Sequence, residues 1–111
     1  MKPKITKLKE VPAAEVGGHE GFVARSLLSL AEKEIETRLI NVTPWGKGPV
    51  PPHSHPDTHF FLVLEGNLEL EIDGTVYSVP NGYCIEVPPN SRHQLRCAGG
   101  SSMTVLAIKW K

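Results

Sequence analysis

The segment Pro52-His53-Ser54-His55-Pro56-Asp57-Thr58-His59 holds three of the five histidines of the chain. A fourth histidine, His93, comes after a proline-rich turn farther along. In an extended segment residues i and i+2 point to the same face, so His53 and His55 project together. A turn after His55 can bring His59 to the same place. Because neutral imidazole is a common metal ligand, we predict that these four side chains bind one metal ion.

Alternating apolar and polar residues on either side of the histidines predict strands. Residues 35–42 alternate in this way, and so do residues 68–72, which places three apolar side chains on one core-facing side. Asp73-Gly74 is a strong signal for a two-residue hairpin turn. Eight or nine short strands separated by Pro and Gly turns, with little helix, indicate an all-β antiparallel sandwich or barrel.

The chain is predicted to form a single domain, with residues 1–21 as an N-terminal arm and residues 22–111 as the barrel. Residues 22–29 read as a first strand, and a helical turn over residues 27–34 is the alternative. Residues 43–49 contain two prolines and two glycines. We expect this stretch to interrupt the strand that precedes it.

Composition excludes several classes of partner. Twelve basic residues balance 12 acidic ones, so no global charge recruits nucleic acid, a membrane surface or an acidic partner. The first ten residues lack the apolar stretch of a signal peptide, and the longest apolar run, Phe60–Leu64, is too short to span a bilayer. We therefore expect a cytoplasmic protein in which Cys84 and Cys97 are reduced.

The two histidine segments resemble the signature motifs of the cupins, which are small antiparallel β-barrels. The first motif of that family reads G-x5-H-x-H-x(3,4)-E-x6-G, and the second reads G-x5-P-x-G-x2-H-x3-N. The residues that match are, in chain order, His53, His55, His59 and Gly66 in the first motif and Gly82, Pro88 and His93 in the second. The resemblance covers residues 48–97.

Four positions depart from the cupin pattern. His59 stands where the family usually has glutamate, and the first glycine is displaced, since four residues rather than five separate Gly48 from His53. Asn90 replaces the glycine of the second motif, which is tolerable because Asn also visits left-handed conformations. Cys97 replaces the terminal asparagine, so no role carries over to it.

The resemblance implies a jelly-roll barrel, or double-stranded β-helix, with a mononuclear metal site of the four-histidine type. It also implies a metal-dependent oxygenase of the dioxygenase kind that acts on a small chelating organic substrate. Cupins also include isomerases, lyases, decarboxylases and non-catalytic metal or ligand binders, which are the alternatives. The expected cofactor is one divalent transition metal ion, with Fe or Mn favoured over Ni, Zn or Cu. A homodimer is expected by resemblance and because edge strands need cover.

Strand parity adds four candidates for substrate binding. They are Arg38, Phe61, Tyr83 and Cys97. Four neutral imidazoles leave the charge of a divalent ion uncompensated, so the site should favour anionic chelating ligands. Arg38 could hold such an anion, although a solvated arginine on the outer face is the alternative. His19 lies in a Gly-rich stretch and is expected to be an exposed loop histidine.

Overall fold

The computed structural model describes residues 2–111, and these residues are almost entirely β-structure, as the sequence predicts. The strands are β1 Ala13–Glu15, β2 Glu20–Leu30, β3 Ile35–His53, β4 Thr58–Glu65, β5 Asn67–Ile72, β6 Thr75–Pro80, β7 Cys84–Val87, β8 His93–Cys97 and β9 Met103–Trp110. Two single turns of 3-10 helix, Leu8–Glu10 and Ala31–Lys33, are the helical structure within this range. No helix in residues 2–111 is both long and apolar enough to cross a membrane.

The strands form one antiparallel sheet in the order β6-β5-β8-β3-β9-β4-β7, with β2 also paired to β3 and β1 paired to β2. The sheet curls into a nearly closed barrel of the jelly-roll type. Strand β3 takes part in three pairings, with β2, β8 and β9. It lies in the middle of the sheet and joins the strands on the β8 side to those on the β9 side. The predicted all-β jelly-roll fold is confirmed.

The barrel interior is filled by alternate apolar side chains from the strands. Leu68 and Leu70 on β5 are fully buried, and Ile72 packs against the same core, as the alternation predicts. Buried side chains on neighbouring strands lie side by side: Ile40 on β3 is the register partner of Val105 on β9. Several of these core side chains, among them Ile40, also line a cavity at the histidine-rich end of the barrel.

Asp73 and Gly74 join β5 to β6 in a two-residue hairpin with φ values of 48° and 86°. Both residues have positive φ, which is the requirement of the type I′ turn that the sequence predicts. Asn90 also has a positive φ of 64°, so it takes the left-handed conformation expected at the position of the missing glycine. Local turn chemistry was read correctly at both places.

The expected interruption at residues 43–49 is wrong. Strand β3 runs from Ile35 to His53 without a break. Its first half pairs with β2 and β9, and its second half pairs with β8, with a register shift between Gly48 and His53. Trp45, with a φ of 65°, lies near this change of partner. The Pro and Gly residues thus bend the strand around a corner of the barrel rather than ending it.

The first strand and the helical turn, which the sequence left as alternatives, both exist. Strand β2 extends through Leu30, and a single 3-10 turn over Ala31–Lys33 follows it. Glu34, with a φ of 54°, closes this turn and leads into β3. Within residues 2–21, the part predicted as an arm, β1 pairs with β2 and the turn between them lies near the histidine-rich end.

Candidate metal centre

The fold brings four histidines to one end of the barrel. His53 is the last residue of β3, His93 is the first residue of β8, and the two are register partners. His55 follows β3 in the connecting loop, and His59 is the second residue of β4. The loop between β3 and β4 is short, so it returns His59 to the end of the barrel where His53 lies.

Each of the four imidazoles lies close to at least two of the others, with ring centroids 4.4 to 5.3 Å apart. One ring nitrogen from each of His53, His55 and His93 lies within 4.8 Å of the others. His59 falls outside that group of three, but its ring centroid is 4.4 Å from that of His55 and 5.1 Å from that of His93. His53 is exposed, His93 is buried, and the other two are half-buried. The cluster is therefore open on one side.

All four histidines are shifted towards the neutral form. Burial is the largest cause in each case, and the neighbouring imidazoles add to it because they are potential cations. The pKa of His59 is lowered most, from 6.5 to about 3, by burial and then by His55 and His93. At neutral pH the rings therefore keep lone pairs that a metal ion can use.

Hydrogen bonds fix the tautomer of one ring. His93 Nδ1 lies 3.0 Å from the Ser91 carbonyl oxygen. A carbonyl can only accept, so neutral His93 donates its proton from Nδ1 and leaves the Nε2 lone pair free towards the cluster. A histidine that binds a metal ion through one ring nitrogen commonly donates a hydrogen bond of this kind from the other, which fixes the orientation of the ring.

Two other ring nitrogens are buried without a partner among the described residues. They are His55 Nδ1 and His59 Nε2. His55 Nδ1 is 3.4 Å from an Asp57 carboxylate oxygen, but the lowered pKa of His55 leaves the ring neutral, and the geometry is too poor for a hydrogen bond. Unpaired buried polar atoms are costly. A bound metal ion would satisfy at least His59, so the residues present fit a metal site.

A cavity of about 170 Å³ opens beside the imidazoles. Apolar side chains, among them Phe22, Ile40 and Phe61, form much of its lining. Three charged residues also line it: Glu36 and Arg38 on β3, and Lys109 on β9, which is the register partner of both Glu36 and His59. The cavity thus has a charged wall next to the histidines.

The charged wall carries a net positive charge. Arg38 Nε lies 3.0 Å from a Glu36 oxygen, and Lys109 Nζ lies 4.0 Å from the other. Two cations share one carboxylate, and each of the three side chains is about one-third exposed. Because these side chains are partly shielded from solvent, they attract an anion more strongly than the same charges would in bulk water.

The family model for the cupin domain matches residues 39–109, well over half of the chain. The chain belongs to the cupin family. The matched region contains all four clustered histidines and the strands from β4 to β8. Among curated proteins, no sequence matches the chain significantly.

Solved structures show the same fold. The polyketide cyclase RemF from Streptomyces resistomycificus is 24% identical, with a TM-score of 0.84 over 98% of this chain and 80% of that one. A predicted oxalate decarboxylase from Thermotoga maritima is 16% identical, with a TM-score of 0.83 over 96% of this chain and 98% of that one. KdgF from a Halomonas species is 14% identical, with a TM-score of 0.79 over 99% and 96%. At these identities the likeness supports the cupin fold alone.

Two of the four residues predicted to bind substrate line the cavity of this cupin. Arg38 faces inward, as its parity with buried Ile40 and Val42 predicts, and Phe61 lies beside it across β9. Among residues 2–111, the cavity lining does not include Tyr83 or Cys97. Their predicted substrate role has no support from their positions.

The reason is that parity fixes the face of a residue but not its height along the barrel. Cys97 shares the inward face of β8 with His93, yet it lies four residues away, about 13 Å along the strand. There it is buried opposite Leu68, and its thiol donates to the Ser101 carbonyl oxygen at 3.0 Å. Tyr83 lies in the turn before β7 and is 63% exposed.

Three ionisable residues that line the cavity were not predicted from the sequence. Glu36 shares parity with Arg38, so alternation could have found it. Lys109 lines the cavity only because β9 pairs with both β3 and β4, which sequence patterns do not give. His19 was expected in an exposed loop, but it is half-buried and lines the cavity.

Proposed function

We propose that the protein is a metal-dependent enzyme that binds a small anionic chelating organic molecule in this cavity. The observation that carries the proposal is the buried, unpartnered Nε2 of His59 within the histidine cluster. A histidine whose pKa is lowered to about 3 is a poor acid or base at neutral pH, but it is a good metal ligand. The ligands in the proposal are His53, His55, His59 and His93.

The proposed cofactor is one divalent transition metal ion, with Fe or Mn favoured. When bound, such an ion polarises a chelating substrate and, as Fe or Mn, gives access to reactions with O₂. Four neutral imidazoles do not offset its charge. An anionic ligand atom would do so, which is why an enolate, enediol or carboxylate is the preferred ligand chemistry.

The chain itself supplies orientation and the exclusion of water. Arg38 contacts Glu36 through Nε, and its Nη groups, which have no partner among residues 2–111, can hold a second anionic group. Glu36 in turn keeps the guanidinium pointing along the cavity wall. The apolar lining, including Phe22 and Phe61, limits the water that shares the cavity with a bound molecule.

The reaction that we propose is oxygenation of the dioxygenase kind. The purified protein would be loaded anaerobically with Fe(II) or Mn(II), and oxygen uptake would be followed with catechols, β-diketones, thiols and α-hydroxy ketones. We expect uptake with at least one of these classes, and none with His93→Ala, which lacks one proposed ligand.

Two results would redirect the proposal. Turnover of a substrate without oxygen uptake would replace oxygenation by an isomerase, lyase or decarboxylase reaction. Tight binding of the same compounds with no turnover under any metal would identify a non-catalytic binding protein instead.

We further propose that the protein forms a homodimer in the cytoplasm. Leu27 and Leu28 on β2 are 44% and 49% exposed, and β1 beside them has β2 as its single partner within residues 2–111. Exposed apolar side chains next to a free strand edge are typical of surfaces that pair with another chain. Sedimentation at the mass of a single chain across micromolar concentrations would contradict the dimer.

A further inference from the structure

His19 is the one histidine outside the proposed ligand set, and it lines the same cavity. It lies in the turn between β1 and β2, in the part of the chain that precedes the family match. It does not belong to the group of histidines whose nitrogens converge within 4.8 Å. It lines this cavity together with His53 and His93.

The imidazole of His19 is held in one orientation. Its Nδ1 lies 2.8 Å from the Gly17 carbonyl oxygen, which can only accept, so in the neutral ring Nδ1 carries the proton. One face packs on Phe22, with ring centroids 4.8 Å apart. The Cδ2 edge lies against Gly48, where any Cβ would collide with the ring.

The turn that carries His19 is tied to the strand that carries His53. The Val50 amide donates to the Gly18 carbonyl at 2.7 Å, and the His19 amide donates to the Val16 carbonyl at 3.3 Å. The first bond connects the β1–β2 turn to the second half of β3, and the second lies within the turn itself. His19 is thus fixed relative to the histidine cluster by backbone contacts as well as by side-chain packing.

Nε2 is the ring atom of His19 that is left over. It has no hydrogen-bond partner within residues 2–111. The atom is not fully buried, so solvent or a ligand can reach it. A neutral ring that donates from Nδ1 can only accept at Nε2. The packing therefore holds Nε2 of the neutral ring ready as an acceptor at the edge of the cavity, with no partner among the described residues 2–111.

We propose that His19 is a specificity-determining residue that accepts a hydrogen bond from a hydroxyl group of the bound molecule. This inference rests on the proposed function, since it assumes that an anionic chelating ligand occupies the cavity. It narrows the ligand to a small hydroxylated organic acid: one end binds at the histidine cluster, and a hydroxyl farther along reaches the β1–β2 turn.

The test uses two pairs of probes that differ by a single distal hydroxyl group: pyruvate with hydroxypyruvate, and lactate with glycerate. Binding to the Zn(II)-loaded protein is measured by calorimetry, because Zn(II) is redox-inert. The wild type is expected to bind the hydroxylated member of at least one pair about threefold to tenfold more tightly, the range for one net hydrogen bond. Equal affinities in both pairs would overturn the proposal.

Two substitutions separate hydrogen bonding from packing. His19→Asn keeps a polar group near the Nδ1 position but has none at the Nε2 position, so we expect it to lose the preference and keep its affinity for lactate and pyruvate. His19→Gln reaches the Nε2 position and should restore part of the preference. A preference that persists in His19→Asn would overturn the proposal, as would failure of His19→Gln to restore any of it.

A measurement on the wild type guards against variants that fold poorly. In ¹⁵N spectra of the Zn(II)-loaded protein, the His19 Nε2 resonance should move with glycerate and not with lactate, and equal movement would overturn the proposal. Binding of lactate and pyruvate without any preference would leave the anionic-ligand function standing and remove only the role of His19. Binding of none of the four probes would overturn both.

Discussion

At the scale of single residues, burial sets the protonation of the histidine cluster. The folded-state pKa values of His53, His55, His59 and His93 are all lowered from 6.5, that of His59 to about 3. In the unfolded chain these rings take up protons as the pH falls below about 6.5, while the folded, metal-free protein takes them up only at lower pH. The folded state is therefore penalised as the pH falls from about 6.5 towards 3.

We predict that the metal-free protein loses unfolding free energy between pH 7.5 and pH 5, where carboxylates remain ionised. One titrating group can contribute a slope of at most about 1.4 kcal/mol per pH unit. The slope from His59 should be smaller than this limit, because the ring is only partly buried. Urea unfolding in the presence of a chelator measures it, with His59→Gln as the matched variant. An identical slope in His59→Gln would contradict the assigned cause.

Residue-scale reasoning from the sequence succeeded where the signal is local. The i, i+2 relation between His53 and His55 needs no knowledge of neighbouring strands, and the inward direction of Arg38 follows from its parity with apolar Ile40. For Cys97, alternation gives the inward face but not the height along the barrel. The same reasoning missed His19 because packing of the β1–β2 turn against Gly48 is a long-range contact.

At the scale of elements, the β5–β6 hairpin supports the strand that begins with His93. Ile72 is the register partner of His93, and the tip of the hairpin is bonded to the residue before it. The Arg92 amide donates to an Asp73 carboxylate oxygen at 2.9 Å, and the Asp73 amide donates to the Arg92 carbonyl at 2.8 Å. The hairpin turn therefore helps to hold the start of β8 in place.

We predict that Gly74→Ala lowers the unfolding free energy by about 1–2 kcal/mol. A Cβ at position 74 would meet no atom within 4 Å, so the cost comes from its φ of 86°, which L-residues rarely adopt. Gly100→Ala is the control, since that site is equally open and has no such φ, and it should change the free energy by less than about 0.5 kcal/mol. Equal effects of the two changes in urea unfolding would contradict this account.

The limits of sequence reasoning at this scale lie in β3. Alternation over residues 35–42 predicts the first half of β3. The Pro and Gly residues that follow are compatible either with the end of the strand or with a bend in it. Pairing decides between them: the second half finds β8 as a partner, through Gly48 opposite Leu95. Partner choice over such a sequence distance is a property of the whole fold.

At the scale of the whole molecule, the candidate site exists only through long-range pairing. The histidines come from the end of β3, the loop after it, β4 and β8, and the cavity beside them needs β9 as well. A metal ion held by these residues would connect strands from distant parts of the chain and stabilise the barrel by an amount that grows with the logarithm of its free concentration. The central claim is that the four imidazoles form one such site.

Equilibrium dialysis against Zn(II), Mn(II) or Fe(II) at pH 7.5, followed by elemental analysis, tests that claim most directly. The wild type should retain about one ion per chain, His93→Ala should lose most of it, and His19→Asn, whose histidine lines the cavity outside the ligand set, should retain it. Circular dichroism would verify that both variants are folded. A wild type that retains no ion, or a folded His93→Ala that binds as tightly as the wild type, would contradict the account.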